Sequence, residues 1–292
     1  MKNRKYLYFQ EGYGRVLGFS DEDIIEAGAN VSKKEKILSN CDVICEPKIG
    51  DSNDLKNIKN KIIFGWIHAT QNYDITQICI DNKLTVYAWE KMFYKGKHVF
   101  YKNNQLAGET AILHAMLMYG RNFENLNAAV LGRGNTAMGA IKILNKLGAN
   151  IQVYSRNEEQ LFREELNKYN IIVNCVLWDT SRKDHIIMKE DLSRLKNDAI
   201  IIDISCDKNG AIESSVPTTI DEPIYYEKNV MHYVVDHTPT LFYKDASISL
   251  SKEISFYIDF LIEEKDNTVL DNALIIEDGK VIDKEIIEYQ KR

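Results

Sequence analysis

An α/β fold of two lobes is what the sequence predicts, on three observations. Short apolar runs alternate with helix-periodic segments through the first part of the chain, as YLYFQ, DEDIIEAGA, DVICEP, KIIFGWIH, Ile75 to Ile80 and LTVYAWE. Such alternation builds layered structure on a mostly parallel sheet. A second series follows a long helical stretch and opens on a glycine-rich strand-to-helix turn, AAVLGRGNTAMGA. A late amphipathic stretch, ASISLSKEISFYIDFLIEE, is long enough to carry the chain back out of that second series. The predicted organisation is a domain over residues 125–244 inserted into one formed by 1–124 and 245–292, with a cleft between the lobes.

The elements follow in order. Ser20 and Asp23 stand at capping-box spacing, with Asp where Glu or Gln is usual, and mark a helix start. QLAGETAILHAMLMY, residues 105–119, has few turn signals after Gly108 and reads as a long helix; His114 on it has apolar neighbours and reads as a core or hinge residue. Asn127 to Leu131 is a strand, Ala137, Ala140, Ile141, Ile143, Leu144 and Leu147 recur at helical spacing, Gly148 ends that helix, and IQVYS is the next strand. A charged helix over 158–168, the strand IIVNCVL, a helix over 189–195, the strand AIIIDIS and a last strand at YVVD, residues 233–236, complete the series. One helix alone separates Tyr154 from Ile171, so a trimmed Rossmann-type domain is expected rather than one with two equal halves.

Composition excludes several classes. The 37 basic and 43 acidic side chains give a net charge of -6, and no Lys/Arg-rich tract marks a nucleic-acid footprint. No apolar run approaches a membrane span, and the N-terminus MKNRKYLYFQEGYG lacks the apolar core of a signal peptide, so a cytoplasmic protein is expected. Cysteines 41, 45, 79, 175 and 206 are scattered and form no metal-ligand spacing; no metal site is expected, and they read as buried thiols, with Cys45, Cys175 and Cys206 as small fillers beside strands.

The glycine turn carries the chemistry. Gly132, Gly134 and Gly139 give G-x-G-x-x-x-x-G, with Ala137 in the third glycine's position. Such a turn lets a pyrophosphate approach the backbone and meet the free N–H groups of the following helix. Gly132, Arg133, Gly134, Asn135 and Thr136 are the candidate dinucleotide contacts. A turn that binds nothing, or a methyltransferase-type cofactor, stays open beside this reading. The second strand ends in Tyr154, Ser155, Arg156 and Asn157, with no carboxylate until Glu158. Ser155 and Arg156 suit a ribose 2'-phosphate, which favours NADP(H) over NAD(H).

Several stretches together resemble one family. GYGRVLGFSDEDIIEAGA, CDVICEPK, IIFGWIHAT, VLGRGNTAMGA, IIDISCDKNGAIESSVPTTIDEPIY, HYVVDHTP and LDNALIIEDGKVIDKEI occur in the order seen in alanine dehydrogenases and the related transhydrogenase subunits. Within that group FGWIH, AGETAILHA and the SR ending of the second strand look closest to the N(5)-(carboxyethyl)ornithine synthases. The resemblance covers nearly the whole chain. It implies an NADPH-dependent, opine-type oxidoreductase that condenses pyruvate with the side-chain amine of ornithine or lysine, and a homo-oligomer. It also implies site roles: Lys48 contacts the keto acid, His68 acts as acid or base, and Asp207 lies beside the nicotinamide and the substrate amine. An imidazole titrates in the range those proton transfers need. Asp203 reads as a structural carboxylate, and His237 stands where family members commonly carry an Asn.

The chain departs from the family at its start. KYLYFQEGYG corresponds to the family's second strand, the stretch like E-x-R-V-A-L with its substrate-binding arginine has no counterpart, and Arg15 lies in the following loop. The resemblance therefore implies a first lobe short of one strand, with an open sheet edge. Two further functions stay open: reductive amination of a keto acid by free ammonia, as in alanine dehydrogenase, and dinucleotide binding without turnover.

Overall fold

Parallel strands made of uninterrupted apolar runs organise both halves of the chain. The computed structural model describes residues 1–179, 182–207 and 209–292. Two units separate: Met1–Phe100 with Leu250–Arg292, and Tyr101–Ser249.

The first unit begins with β1 (Tyr8–Gln10), α1 (Asp21–Glu26), β2 (Asn30–Ser32) and α2 (Lys34–Asn40). The capping box of α1 closes as the spacing predicts: Ser20 N–H donates to Asp23 Oδ2 at 2.7 Å, and Asp23 N–H to Ser20 Oγ at 3.1 Å. β1 and β2 pair only with each other among the described residues, in parallel. Then come β3 (Val43–Cys45), β4 (Ile62–Gly65), α3 (Tyr73–Asp81), β5 (Thr85–Ala88), β6 (Phe93–Tyr94) and β7 (Lys97–His98). β3, β4 and β5 lie parallel. Ile63 and Val86 pack with Ile49, Leu55, Cys79 and Ile276 on one side, whereas Phe64 packs with Trp89, Phe100 and Leu270.

The second unit opens with α4 (Tyr101–Tyr119), followed by β8 (Asn127–Leu131), α5 (Asn135–Lys146), β9 (Asn150–Tyr154), α6 (Glu159–Glu164), β10 (Ile171–Asn174), β11 (Ile200–Asp203), β12 (Ile224–Glu227) and β13 (Val230–Tyr233). Among the described residues its sheet runs β12-β13-β11-β10-β8-β9, with β12 alone antiparallel to its neighbour. Each residue step flips the side chain to the other face. Ala128, Val130, Ile171, Val173, Ile200 and Ile202 thus face one core, and Ala129, Leu131, Ile172 and Ile201 the other. Both faces are covered, which is why these strands read as unbroken apolar runs.

α7 (Tyr243–Ile262) follows, and the return stretch completes the first unit with α8 (Thr268–Ala273), β14 (Leu274–Glu277), β15 (Lys280–Val281) and α9 (Lys284–Gln290). β14 runs antiparallel to β5, so the first sheet is mixed, ordered β15-β14-β5-β4-β3.

Four expectations need correction. The last parallel strand is Val230–Tyr233, not residues 233–236, because its register pairs Met231 with Ile200 and Tyr233 with Ile202; Val235 makes only an isolated bridge to Thr218. The helix expected over 189–195 is a 3-10 helix, Lys189–Arg194, and the charged helix over 158–168 is α6 flanked by 3-10 turns at Arg156–Glu158 and Leu166–Lys168. Of the cysteines, Cys79 is buried, Cys45 is exposed and the other three are partly buried. Cys45 closes β3 on its solvent side, so it is no core filler.

Candidate functional site

In the second unit the chain leaves β8 through Gly132, whose φ of +104° is one that L side chains rarely adopt. A Cβ there would come 3.0 Å from the carbonyl oxygen of Cys175, the residue after β10. The turn is thus pressed toward the point where the strand order reverses, with β9 on one side of β8 and β10 on the other. That crevice is where open α/β sheets bind ligands. Gly134 caps α5 in extended backbone with no side-chain cap, and a Cβ on it would meet nothing within 4 Å. The first-turn N–H groups of a helix have no intrahelical partner, so open space before them suits a phosphate. Gly132, Arg133, Gly134, Asn135 and Thr136 fit a dinucleotide's pyrophosphate on these grounds.

Gly139 serves packing. A Cβ on it would lie 1.9 Å from the carbonyl oxygen of Gln105, and one on Gly108 would lie 2.0 Å from that of Thr136. α4 and α5 therefore meet backbone to backbone. The contact is reinforced by Lys142 Nζ on Glu109 Oε1 at 2.7 Å, while Thr238 Oγ1 donates to the Ala107 carbonyl at 3.0 Å. The AGET segment of α4 thereby fixes the helix whose N-terminus follows the glycine turn.

The end of β9 is organised by an acid. Ser155 N–H and Oγ donate to Glu158 Oε2 at 2.8 and 2.5 Å, and Arg133 Nη2 reaches the same oxygen at 3.0 Å. These bonds, Ser155's foremost, hold the Glu158 carboxyl below its ordinary range. Ser155 and Arg133 are thus brought together. Arg156 instead lines an adjoining surface cavity with Arg163, Arg194, Glu159 and Glu164.

A buried polar network lies past the C-terminal end of β11, an interior strand of the sheet. Asp203, 1% exposed, accepts from Asn174 Nδ2 at 2.8 Å, Cys206 N–H at 3.3 Å and Ser215 Oγ at 2.5 Å. Burial pushes its carboxyl above the ordinary aspartate range, and the bonds from Ser215 and Asn174 pull the other way. The network pins both ends of the loop that carries Asp207. Within that loop Gly210 N–H donates to the Asp207 carbonyl at 3.0 Å, and Lys208 lies outside the described residues. Nearby in sequence, Tyr225 stacks on His232 at 4.9 Å, and His232 Nε2 is 2.8 Å from Ser214 Oγ. His237 takes φ +63°, with its Nδ1 2.6 Å from Asp236 Oδ1. His114 Nδ1 lies 3.0 Å from the Tyr233 hydroxyl, a packed position that holds its pKa down through burial.

Lys48 and His68 belong to the first unit. They follow β3 and β4, two parallel neighbours, so both sit at C-terminal strand ends. Gly50 N–H donates to the Trp66 carbonyl at 3.0 Å and Trp66 N–H to that of Pro47 at 3.3 Å, which joins the two loops through their backbones. Lys48 Nζ is 3.5 Å from Asp51 Oδ2. His68 is exposed and held at φ +53°, a left-handed conformation uncommon outside glycine. Glu90 fixes it: Oε1 accepts the His68 N–H at 2.7 Å, and Oε2 the Ile67 N–H at 3.4 Å. Nothing in AWEK separates Glu90 from a surface acid, so its contact with His68 leaves no signal in the sequence. For Glu158 a signal is present, since Ser155 and Glu158 stand at capping-box spacing.

Comparison with known proteins matches both units to one family. Residues 2–100 match the N-terminal domain of alanine dehydrogenase/PNT, and residues 152–288 its C-terminal domain. An N(5)-(carboxyethyl)ornithine synthase of Lactococcus lactis is 31% identical over 263 residues, spanning 84% of this chain and 84% of its own. One from Clostridium botulinum is 29% identical over 289 residues, spanning 90% of this chain and 91% of its own. Among solved structures, an L-alanine dehydrogenase superimposes with a TM-score of 0.78 at 16% identity, covering 100% of this chain and 97% of that one.

Proposed function

Because the chain belongs to the alanine dehydrogenase/PNT family, we propose that it is a nicotinamide-dependent oxidoreductase of opine type. It joins pyruvate to the side-chain amine of ornithine or lysine and reduces the imine with NADPH. The observation that carries this reading is the similarity, 31% and 29% identical, to two proteins named N(5)-(carboxyethyl)ornithine synthase. It works as a homo-oligomer in the cytoplasm; no helix among the described residues is long and apolar enough to cross a membrane.

Gly132, Arg133, Gly134, Asn135 and Thr136 would hold the dinucleotide, with Ser155 on the side of a 2'-phosphate and Arg156 reaching it from the adjoining cavity. When bound it supplies the reducing equivalent. Lys48 pairs with the keto-acid carboxylate and polarises the carbonyl that the amine attacks. His68 protonates the carbinolamine oxygen so that it leaves as water. Asp207 holds the amine and stabilises the positive charge that the nitrogen acquires on water loss. Asn174, Asp203 and Ser215 keep the Asp207 loop in place through the bonds described above.

One observation favours a second reading, reductive amination by free ammonia with NADH. The Glu158 carboxylate stands at the end of β9, where an acid commonly holds a free ribose 2'-hydroxyl. Oxidation of NADPH and NADH, followed in parallel with pyruvate plus ornithine, lysine or ammonium, separates the two. NADPH turnover with ornithine or lysine is expected. Turnover confined to ammonium moves the protein to the second reading, and tight cofactor binding without any turnover leaves a non-catalytic binding protein.

A further inference from the structure

We propose that Glu158 sets the balance between phosphorylated and unphosphorylated dinucleotides, by occupying as an internal anion the donors that a ribose 2'-phosphate requires. The inference rests on the dinucleotide reading of the β8–α5 turn.

One carboxylate oxygen, Glu158 Oε2, gathers three donors from two loops: Ser155 N–H, Ser155 Oγ and Arg133 Nη2. These donors saturate the two lone pairs of Oε2, so on this carboxylate only Oε1 is left to accept from a ribose hydroxyl. The donor set, a backbone N–H, a hydroxyl and a guanidinium, is instead the kind that binds phosphate oxygens. Its location fits, since Arg133 belongs to the glycine turn after β8 and Ser155 directly follows β9. The side chains remain reachable, with Arg133 62% and Glu158 36% exposed, so a phosphate can displace the carboxylate without opening the core. A displaced Glu158 stays close enough to repel the phosphate. Its negative charge therefore acts against NADPH twice, as competitor and as neighbour, and leaves NADH nearly untouched.

Calorimetric titration with adenosine 2',5'-bisphosphate and 5'-AMP, which differ by the 2'-phosphate, tests the idea on the full chain, with NADPH and NADH as a second pair. Glu158→Gln keeps an acceptor for Ser155 and removes the charge. It should tighten the bisphosphate and NADPH on the order of tenfold, with 5'-AMP and NADH unchanged. Glu158→Ala should shift the same ratio in the same direction, and melting curves of both variants check that the fold is intact. An unchanged ratio with nucleotides still bound overturns this inference alone. Weaker NADH binding by Glu158→Gln also overturns it, because the carboxylate would then be holding a 2'-hydroxyl. If wild-type protein binds none of these nucleotides, the dinucleotide reading falls and this inference falls with it.

Discussion

Gly139 on α5 faces the carbonyl oxygen of Gln105 on α4 so closely that a Cβ would lie 1.9 Å from it. No side chain can be accommodated there unless the helices separate. Gly139→Ala should therefore cost about 1–3 kcal/mol of stability, read from the urea midpoint. An unchanged midpoint would mean that the two helices do not meet as described.

Gly134 makes the opposite prediction. Its backbone is extended and a Cβ would meet nothing within 4 Å, so Gly134→Ala should cost only the N-cap preference of glycine over alanine, about 1 kcal/mol or less. If a pyrophosphate uses that space, dinucleotide affinity should fall on the order of tenfold in the same variant. Fluorescence titration with NADPH reads the affinity, and full retention of binding would remove the pyrophosphate from this turn.

These two glycines mark what a sequence can and cannot convey. The strand-turn-helix-strand of β8, α5 and β9 is legible because apolar runs, a glycine pair and helical spacing are all local. The separate duties of Gly134 and Gly139 are not, since the second is decided by Gln105 on another helix. Residues 233–236 look like a strand because Val234 and Val235 are apolar, yet pairing with β11 and the antiparallel β12 places the strand at Val230–Tyr233. The hairpin in the return stretch had a usable signal: Asp278 and Gly279, both at positive φ, form the two-residue loop between β14 and β15. Lys48, His68 and Asp207 stood out through family order, whereas Glu90 and the Asp203 network emerge only once loops distant in sequence are folded together.

Asp203 predicts a pH effect with a definite sign. Burial raises its folded-state pKa, so the folded chain holds a proton more tightly than the unfolded chain. Between the unfolded and folded values its contribution to stability declines as pH rises. Asp203→Asn can keep the bonds to Asn174 and Ser215 and should remove that declining component. Urea midpoints across a pH series check this; identical pH slopes for wild type and variant would contradict it.

Glu90 should act as a positioning residue for His68. Losing its acceptor frees the N–H groups of His68 and Ile67, so Glu90→Ala should lower kcat with KM for pyruvate less affected, and Glu90→Gln should restore most of the rate. His68→Ala should lower kcat by about 10²–10⁴ with dinucleotide affinity unchanged. Equal losses in the Gln and Ala variants of Glu90 would assign it a different role.

The most direct measurement is the product itself. Purified protein incubated with pyruvate, ornithine or lysine, and NADPH should yield by mass spectrometry the amino acid carrying a carboxyethyl group on its side-chain nitrogen, formed in step with NADPH oxidised. Alanine as the sole product when ammonium is supplied, with ornithine and lysine recovered unaltered, would contradict the account.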